Sequence, residues 1–350
     1  MKIDRVRSAL PANAYDQEAI LAQLEQAWAE HNFNRDRLRR LHQNVLVGGR
    51  RLALPIERYR SLETFGDSND EWIAAAVELG SQAVAAAIEE VAPESLGALY
   101  FVTVTGVAVP SIEARIMNRL RLPTHLRRVP IFGLGCVAGA AGIARVADDV
   151  RAHPHQASLL LSVELCSLTL QRRDLSIANL IASGLFGDGA AAVLILGSEH
   201  PSHAASAGPC IVDSASIFFP DSERVMGWEI DEHGFQVVLS ADVPAVVAAH
   251  LPHNVDRLLA RHGLSRADVA TWIAHPGGPK VLEAMQSSLG LPDGALDLTW
   301  DSLREVGNLS STSVLLVLEE TLRQRREPDS WGLLLALGPG FCAELVLLRF

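Results

Sequence analysis

The chain contains the same order of elements twice, and this duplication is the feature that most constrains its fold. In the first half an apolar strand ends at Gly135 and a helix of small residues opens at Cys136; in the second half a similar helix opens around Asn308. A further strand follows at nearly the same separation in each half, near Leu159 and near Leu333. Strands that alternate with helices predict mostly parallel sheets with helices on their faces. We therefore expect an α/β protein with a five-layered αβαβα fold built from two duplicated halves.

The join between the halves is indicated by composition. Serine, histidine, proline and glycine cluster over residues 198–215, between two apolar strand patterns. Such a cluster is typical of a connecting segment. We place an N-terminal half at residues 1–212, carrying the cysteine, and a C-terminal half at residues 213–350.

The stretch around Cys136 reads VPIFGLGCVAGAAGIARVADDV from residue 129 to residue 150. It predicts a buried strand over 129–134, a sharp turn at Gly135 and a helix that begins at the cysteine. A thiol at a helix N-terminus meets unsatisfied N–H groups and the positive end of the helix dipole, which favour a thiolate near neutral pH. A cysteine can also be a small buried hydrophobe. The preceding glycine and the glycine-alanine helix favour a nucleophile.

Charge and cysteine content narrow the function classes. The 350 residues carry a formal net charge of −11, which argues against nucleic acid and anionic membranes as partners. The N-terminus lacks an apolar signal region, and no run reaches the ~18 apolar residues of a membrane span. The four cysteines lie far apart without a C-x-x-C pair, so neither a metal site nor a disulfide framework is indicated. We expect a cytoplasmic protein.

Two further residues complete a candidate catalytic group. His275 follows an apolar strand and precedes Pro276-Gly-Gly, and the duplication brings it and Asn308 to the junction between the halves beside Cys136. An imidazole activates a thiol, and a nearby donor stabilises an oxyanion. The alternative for Asn308 is a helix N-cap.

These residues lie in short motifs that occur together in one known family. The chain resembles the type III polyketide synthases, the chalcone-synthase-like branch of the thiolase superfamily. The matching motifs are Gly133-Leu-Gly-Cys136-Val-Ala-Gly139, Val163-Glu164-Leu-Cys166, Gly184-Leu-Phe186-Gly-Asp-Gly189, His275-Pro-Gly-Gly278, Gly307-Asn308-Leu-Ser310 and Gly338-Pro-Gly340.

The resemblance implies a fold, a partner and a reaction. It implies the thiolase fold, a homodimer, and an acyltransferase that condenses malonyl-CoA with an acyl-CoA starter by decarboxylation, with no cofactor beyond the CoA thioesters. Cys136 would accept the acyl group. His275 and Asn308 would hold the thioester carbonyl and stabilise the enolate that decarboxylation produces.

The resemblance also implies a substrate cavity. Phe186 matches a gatekeeping phenylalanine, whereas Val237 stands where the plant enzymes have a second phenylalanine, and Trp228 replaces a plant glycine. The cavity-lining positions are matched by Thr105, Cys166, Thr169, Trp228 and Ser310. Apart from Phe186, each can equally be a packing residue.

Clustered arginines offer a site for CoA. Its phosphates need a basic patch on an acidic protein, and arginine binds phosphate through a planar fork. The candidates are Arg39, Arg40, Arg50 and Arg51; the alternative is a solvated charged face.

The segment 163–171 resembles the bacterial members that take medium- or long-chain fatty acyl starters and make alkylpyrones or alkylresorcinols. The small side chain of Cys166 would let an alkyl chain pass, alongside Thr105. Two other functions stay open: a ketoacyl synthase of the fatty-acid-initiating type, which condenses once with malonyl carrier protein, and a non-catalytic dimer partner.

Overall fold

The computed structural model describes residues 1–29 and 33–350. The strands of the described residues are β1 (Lys2–Ala9), β2 (Asn13–Asp16), β3 (Gly49–Leu52), β4 (Leu96–Thr103), β5 (Arg127–Phe132), β6 (Ala157–Leu165), β7 (Asp188–Leu196), β8 (Cys210–Phe218), β9 (Met226–Asp231), β10 (Gly234–Leu239), β11 (Val269–Ala274), β12 (Trp331–Gly338) and β13 (Cys342–Arg349). The helices are α1 (Gln17–Ala27), α2 (Arg35–Asn44), α3 (Phe65–Ala87), α4 (Ile112–Leu120), α5 (Ala138–Ala152), α6 (Ile177–Leu185), α7 (Val243–Ala260), α8 (Pro279–Leu289), α9 (Asp297–Val306) and α10 (Ser313–Arg323). Within these residues, no helix combines the length and apolar character that a bilayer crossing needs.

One nine-stranded sheet runs through both halves, in the order β11-β12-β13-β8-β1-β7-β6-β4-β5. Strand β1 pairs with β7 along its length, from Lys2 opposite Leu196 to Ala9 opposite Ala190. It meets β8 through a single pair, Lys2 and Cys210. The sheet therefore consists of two well-paired parts with a minimal join between them.

The buried side chains form layers around those two parts. Helices α5 and α10 share an apolar cluster with strands of both halves, for example Ile143 and Leu315 with Val193 and Leu334. Helices α3 and α4 pack on the outer face of the first part, and α7 and α8 pack on the outer face of the second. Helix, sheet, paired helices, sheet and helix make the five-layered αβαβα arrangement expected from the duplication.

The expectation of mostly parallel sheets is wrong. Strand β4 runs parallel to β5 and β6, and β11 runs parallel to β12, but the other pairs within the large sheet are antiparallel. Part of the reason is the connection length. Only residues 339–341 separate β12 from β13, and so short a link can form only an antiparallel hairpin.

Three local predictions also need correction. The strand before the cysteine is β5, which lies at the sheet edge with alternate side chains exposed, whereas a buried strand over 129–134 was expected. The glycine-dense sequence of residues 179–192 predicts a tight packing or active-site loop, but these residues belong mainly to α6 and β7. Strand β1 was not predicted, because its charged side chains hide the buried positions Ile3 and Val6. The proposed domain boundary, between residues 212 and 213, falls within β8, just after the connection from β7, and stays a prediction.

Candidate active site

Cys136 lies in a single 3₁₀ turn, Gly135–Val137, immediately before α5. The helix itself begins at Ala138, so the cysteine precedes it and does not open it. Close packing around the turn requires glycine. A side chain at Gly139 would begin 2.3 Å from the carbonyl oxygen of Ser311. Gly135 has a φ of +56°, which glycine adopts readily, and a side chain there would begin 2.6 Å from the ring of Pro339. The thiol is therefore held where α5 approaches the start of α10.

Asn308 lies on the segment between α9 and α10, opposite Phe186. Its backbone nitrogen donates to the carbonyl oxygen of Leu185 at 2.9 Å, and its carbonyl oxygen accepts from the nitrogen of Gly187 at 3.0 Å. The N-cap of α10 is Thr312, so the alternative role of Asn308 as the cap of that helix does not apply.

A continuous series of contacts joins the three candidate catalytic residues. The Cys136 sulfur lies 3.6 Å from the hydroxyl of Ser310, whose backbone nitrogen donates to the Asn308 side-chain oxygen at 2.8 Å. The Asn308 amide nitrogen donates to the carbonyl oxygen of Gly277 at 3.3 Å. The Cα of Gly277 faces the His275 ring, because a side chain there would begin 3.6 Å from its Cδ2. The fold thus brings Cys136, Asn308 and His275 together, with Ser310 between the first two.

Burial sets the charge states at this junction. It raises the pKa of Cys136 to about 12, and the hydrogen bond with Ser310 offsets this only in part. Burial also lowers the pKa of His275 to about 3; the side chain is 2% exposed, and neither ring nitrogen has a partner among the described residues. Burial therefore opposes the thiolate that a helix N-terminus was expected to favour, and it opposes a protonated His275 as well. Desolvation disfavours both charged forms.

Glu164 is a buried carboxyl beside this site to which the sequence analysis gave no role. It accepts hydrogen bonds from Ser311, from Thr105 and from the backbone nitrogen of Val104. Burial raises the pKa of Glu164 to about 7, and its charge in turn raises the pKa of Cys136. The sequence signal that could have identified Glu164 is that it is the only charged residue in strand β6.

A cavity of about 1080 Å³ lies next to Phe186, and Cys136, His275 and Asn308 are not among the residues that line it. Phe186 connects the cavity to the catalytic group, because its side chain lines the cavity while its backbone lies opposite Asn308. The predicted lining residues found on the cavity wall are Phe186, Cys166, Thr169, Trp228 and Val237.

Thr105 and Ser310 do not line the large cavity. Ser310 lies beside the sulfur of Cys136, and Thr105 lines a side pocket of about 20 Å³. The Thr105 hydroxyl accepts from the indole of Trp72 at 3.1 Å and from the backbone nitrogen of Leu165 at 3.0 Å. Trp72 is 1% exposed, and its ring occupies the space over Gly106. The passage expected beside Thr105 is therefore filled by an indole.

The two departures from the plant pattern are cross-strand neighbours. Trp228 on β9 pairs directly with Val237 on β10. The Trp228 ring also lies 5.9 Å from that of Phe186 and 6.3 Å from that of Phe235. Because the two side chains are neighbours on one wall of the cavity, the large Trp228 ring can occupy space that the small Val237 side chain does not fill.

The clustered arginines separate into different environments. Arg50 is buried and donates through Nη1 to two backbone carbonyls, which argues against its expected role as a phosphate ligand. Arg39 is exposed and forms a two-bond ion pair with Glu25. Arg51 donates weakly to the carbonyl oxygen of Pro11 at 3.4 Å, and Arg40 is exposed. The arginines on the wall of the large cavity, other than Arg50, are Arg60, Arg172 and Arg173, which the sequence analysis did not single out.

The described part of the chain contains no group of three or more His, Cys, Asp or Glu side chains arranged to hold a metal ion.

The five-layered fold, with a cysteine, a histidine and an asparagine at the junction of its halves, defines a thiolase-type condensing enzyme.

Sequence comparison shows which family within that class. Residues 3–200 match the family model for the N-terminal domain of chalcone and stilbene synthases, and residues 210–350 match the one for the C-terminal domain. The chain belongs to this family and is a type III polyketide synthase, an acyltransferase-type condensing enzyme.

Bacterial relatives cover nearly the whole chain. The 1,3,6,8-tetrahydroxynaphthalene synthase of Streptomyces peucetius subsp. caesius is 47% identical over 348 residues, which are 99% of this chain and 92% of the relative. A putative chalcone synthase of Bacillus subtilis (strain 168) is 37% identical over 353 residues, 98% and 96% of the two chains. The alpha-pyrone synthesis polyketide synthase-like Pks18 of Mycobacterium tuberculosis (strain CDC 1551 / Oshkosh) is 29% identical over 326 residues, 89% and 82% of the two chains.

Solved structures agree with the fold. The 1,3,6,8-tetrahydroxynaphthalene synthase of Streptomyces coelicolor A3(2) superposes with a TM-score of 0.93 at 28% identity, covering 100% of this chain and 99% of the other. The PKS-I structure from the brown alga Ectocarpus siliculosus gives 0.91 at 27% identity, covering 99% and 97%.

Proposed function

We propose that Cys136 accepts the starter acyl group and that His275 and Asn308 catalyse decarboxylative condensation with malonyl-CoA. The observation that carries this proposal is the series of contacts from the Cys136 sulfur through Ser310 and Asn308 to the His275 ring. The amide nitrogen of Asn308 and a ring nitrogen of His275 are the donors available to an enolate oxygen. Cys136 supplies the covalent attachment: its sulfur bonds to the acyl carbon, the bond from that carbon to the CoA sulfur breaks, and the Cys136 proton leaves with CoA as its free thiol.

We further propose that malonyl-CoA serves as both starter and extender, and that the product is a polyhydroxylated aromatic such as tetrahydroxynaphthalene. The relative that is 47% identical is a synthase of that compound. The indole of Trp72 fills the space beside Thr105 where an alkyl chain was expected to leave.

A fatty acyl starter leading to an alkylpyrone or alkylresorcinol is the second candidate. Cys166 lies on the cavity wall, and the apolar side chains of Ile20, Leu24 and Leu170 line the same cavity. The chain is also similar to the mycobacterial alpha-pyrone synthesis polyketide synthase-like Pks18. An alkyl chain would then extend toward α1, and not past Thr105.

The substrates and assembly follow the family. Acyl-CoA and malonyl-CoA would enter on the open side of the cavity, where Arg60, Arg172 and Arg173 offer positive charge to the phosphates. We propose a homodimer as the active assembly, with no cofactor beyond CoA thioesters.

Product analysis separates these candidates. The protein is incubated with isotopically labelled malonyl-CoA alone, and then with acyl-CoA starters of increasing length, and the products are identified by mass spectrometry. An aromatic product from malonyl-CoA alone supports the first candidate; products that require an acyl-CoA and carry its chain support the second. A single condensation that needs malonyl carrier protein would replace both by the ketoacyl synthase function.

Cys136→Ala is the control. It should form no product and no covalent acyl adduct by intact mass, because a small side chain changes the packing little but removes the nucleophile. An adduct on this variant would refute the role of Cys136.

A further inference from the structure

We infer that Arg50 is a positioning residue, which holds the Phe186 segment and the Asn308 segment in register. It was expected to bind CoA phosphates, and its surroundings argue against that role. The inference rests on the proposed function, in that it takes Asn308 to act in decarboxylation.

Arg50 reaches the Phe186 segment through hydrogen bonds. Its side chain is 4% exposed, and its Nη1 atom donates to the carbonyl oxygen of Ser183 at 2.7 Å and to that of Phe186 at 2.8 Å. These two carbonyls lie at the end of α6 and just beyond it. One nitrogen therefore fixes the turn from which Phe186 faces the cavity.

The aliphatic part of the same side chain packs against the Asn308 segment. A side chain at Gly307 would begin 3.2 Å from Cγ and 3.3 Å from Cδ of Arg50, and Gly307 has a φ of +76°. Next to this contact, the backbone of Asn308 forms hydrogen bonds with Leu185 and Gly187, the two neighbours of Phe186. Arg50 thus touches both segments of the bridge that places Asn308.

The strand that carries Arg50 is tied to both segments as well. Just before β3, the backbone nitrogen of Gly48 donates to the carbonyl oxygen of Arg304 on α9 at 2.8 Å. Just after β3, the nitrogen of Ala53 donates to the carboxylate of Asp188 at 2.6 Å. Strand β3 therefore links the end of α9 to the start of β7, and Arg50 lies between these two attachments.

Burying the charge of Arg50 lowers the stability of the folded protein, which space filling alone would not explain. Burial lowers the pKa of Arg50 to about 10, so it stays protonated at neutral pH, with Asp188 favouring the charge. Its Nε and Nη2 atoms are buried and have no partner among the described residues. Unpaired buried donors of a cation cost stability. A residue that costs stability and also holds two catalytic segments is better explained by positioning than by packing.

The test separates turnover from binding. Arg50→Met keeps an aliphatic stem against Gly307 and removes the donors. We expect the kcat of malonyl-CoA decarboxylation to fall ~10- to 100-fold, because a small displacement of a catalytic group costs this much, while the KM for malonyl-CoA stays unchanged. Alkylation of Cys136 by iodoacetamide should keep its wild-type rate, since Cys136 lies on a different segment. A general loss of structure would change both readouts.

Arg326→Met is the matched control. Arg326 is also partly buried, with its pKa lowered by burial, and donates to a backbone carbonyl, that of Thr321. It lies at the end of α10 away from Cys136, so decarboxylation should be unchanged. Arg50→Lys keeps the charge and one donor group, so a kcat between those of wild type and Arg50→Met is expected; it also replaces the methionine variant if that one does not fold.

Asn308→Ala distinguishes a failure of the proposed function from a failure of the inference about Arg50. If it decarboxylates at the wild-type rate, the proposed role of Asn308 is wrong. If it loses activity while Arg50→Met or Arg50→Lys retains the wild-type kcat, the inference about Arg50 is wrong. A raised KM with an unchanged kcat would instead make Arg50 a CoA ligand and overturn the inference.

Discussion

The side-chain oxygen of Asn308 accepts a hydrogen bond from the backbone nitrogen of Ser310 at 2.8 Å. This bond fixes the amide so that its nitrogen points away from Ser310, toward the carbonyl oxygen of Gly277. One N–H of that nitrogen is left for a substrate oxygen. Asn308 is therefore oriented as a donor before any substrate binds.

Asn308→Asp tests this orientation. Aspartate keeps an acceptor for Ser310 but presents a second oxygen where the donor was. We expect malonyl-CoA decarboxylation to fall ~10²–10³-fold, the usual cost of losing one oxyanion donor. Radiometric CO₂ release measures the rate, and circular dichroism checks the fold. Wild-type decarboxylation by this variant would reduce Asn308 to a residue that fixes the local backbone.

The pH dependence of Cys136 alkylation tests the neutral pair. Burial raises the pKa of Cys136 to about 12. Because only the thiolate reacts, the rate with iodoacetamide should rise about tenfold per pH unit from pH 6 to pH 10 without a plateau. Cys136→Ala corrects for the other cysteines. A plateau already reached below pH 8 would indicate a thiolate paired with a protonated His275, as the sequence alone had suggested.

Glu164 should make stability depend on pH. Burial raises its pKa from 4.5 to about 7, so the folded state keeps a proton that the unfolded chain releases. Stability from this group is full below pH 4.5, falls as pH rises through this window, and levels off above 7. Glu164→Gln removes that slope.

The measurement is the difference in Tm between Glu164→Gln and the wild type at each pH. It should grow in favour of the variant from pH 4.5 to pH 7. Asp188, whose pKa burial raises from 3.8 to about 6, acts in the same direction and is present in both proteins, so it cancels in the difference. A constant difference across this range would show that Glu164 titrates normally.

Cys166→Phe tests whether an alkyl chain uses the cavity. If fatty acyl starters bind there, the added ring should exclude methylenes, and each one excluded forfeits ~0.8 kcal/mol. The loss of kcat/KM should then steepen with starter length, with short starters serving as the internal control. An equal loss at every length would mean general damage to the site. Under malonyl priming, the loss should instead appear with malonyl-CoA alone.

The fold class and the candidate catalytic group could be predicted from local sequence patterns. The two helices rich in small residues predict close helix packing, and this prediction needs only the local sequence. Cys136, His275 and Asn308 were found because motifs carry them, and the structure brings them to one junction.

The environment of each side chain depends on how distant segments of the chain pack together. The position of Cys136 before α5, and the burial that opposes a thiolate, depend on what packs around the turn. The same holds for Arg50: neighbouring arginines look alike in sequence, and only the packing of β3 against α6 and α9 buries this one. Strand β1 escaped prediction because charged side chains hide its buried positions, and its neighbours β7 and β8 are distant in sequence. Desolvation and pairing arise from residues far apart along the chain, so local sequence does not encode them.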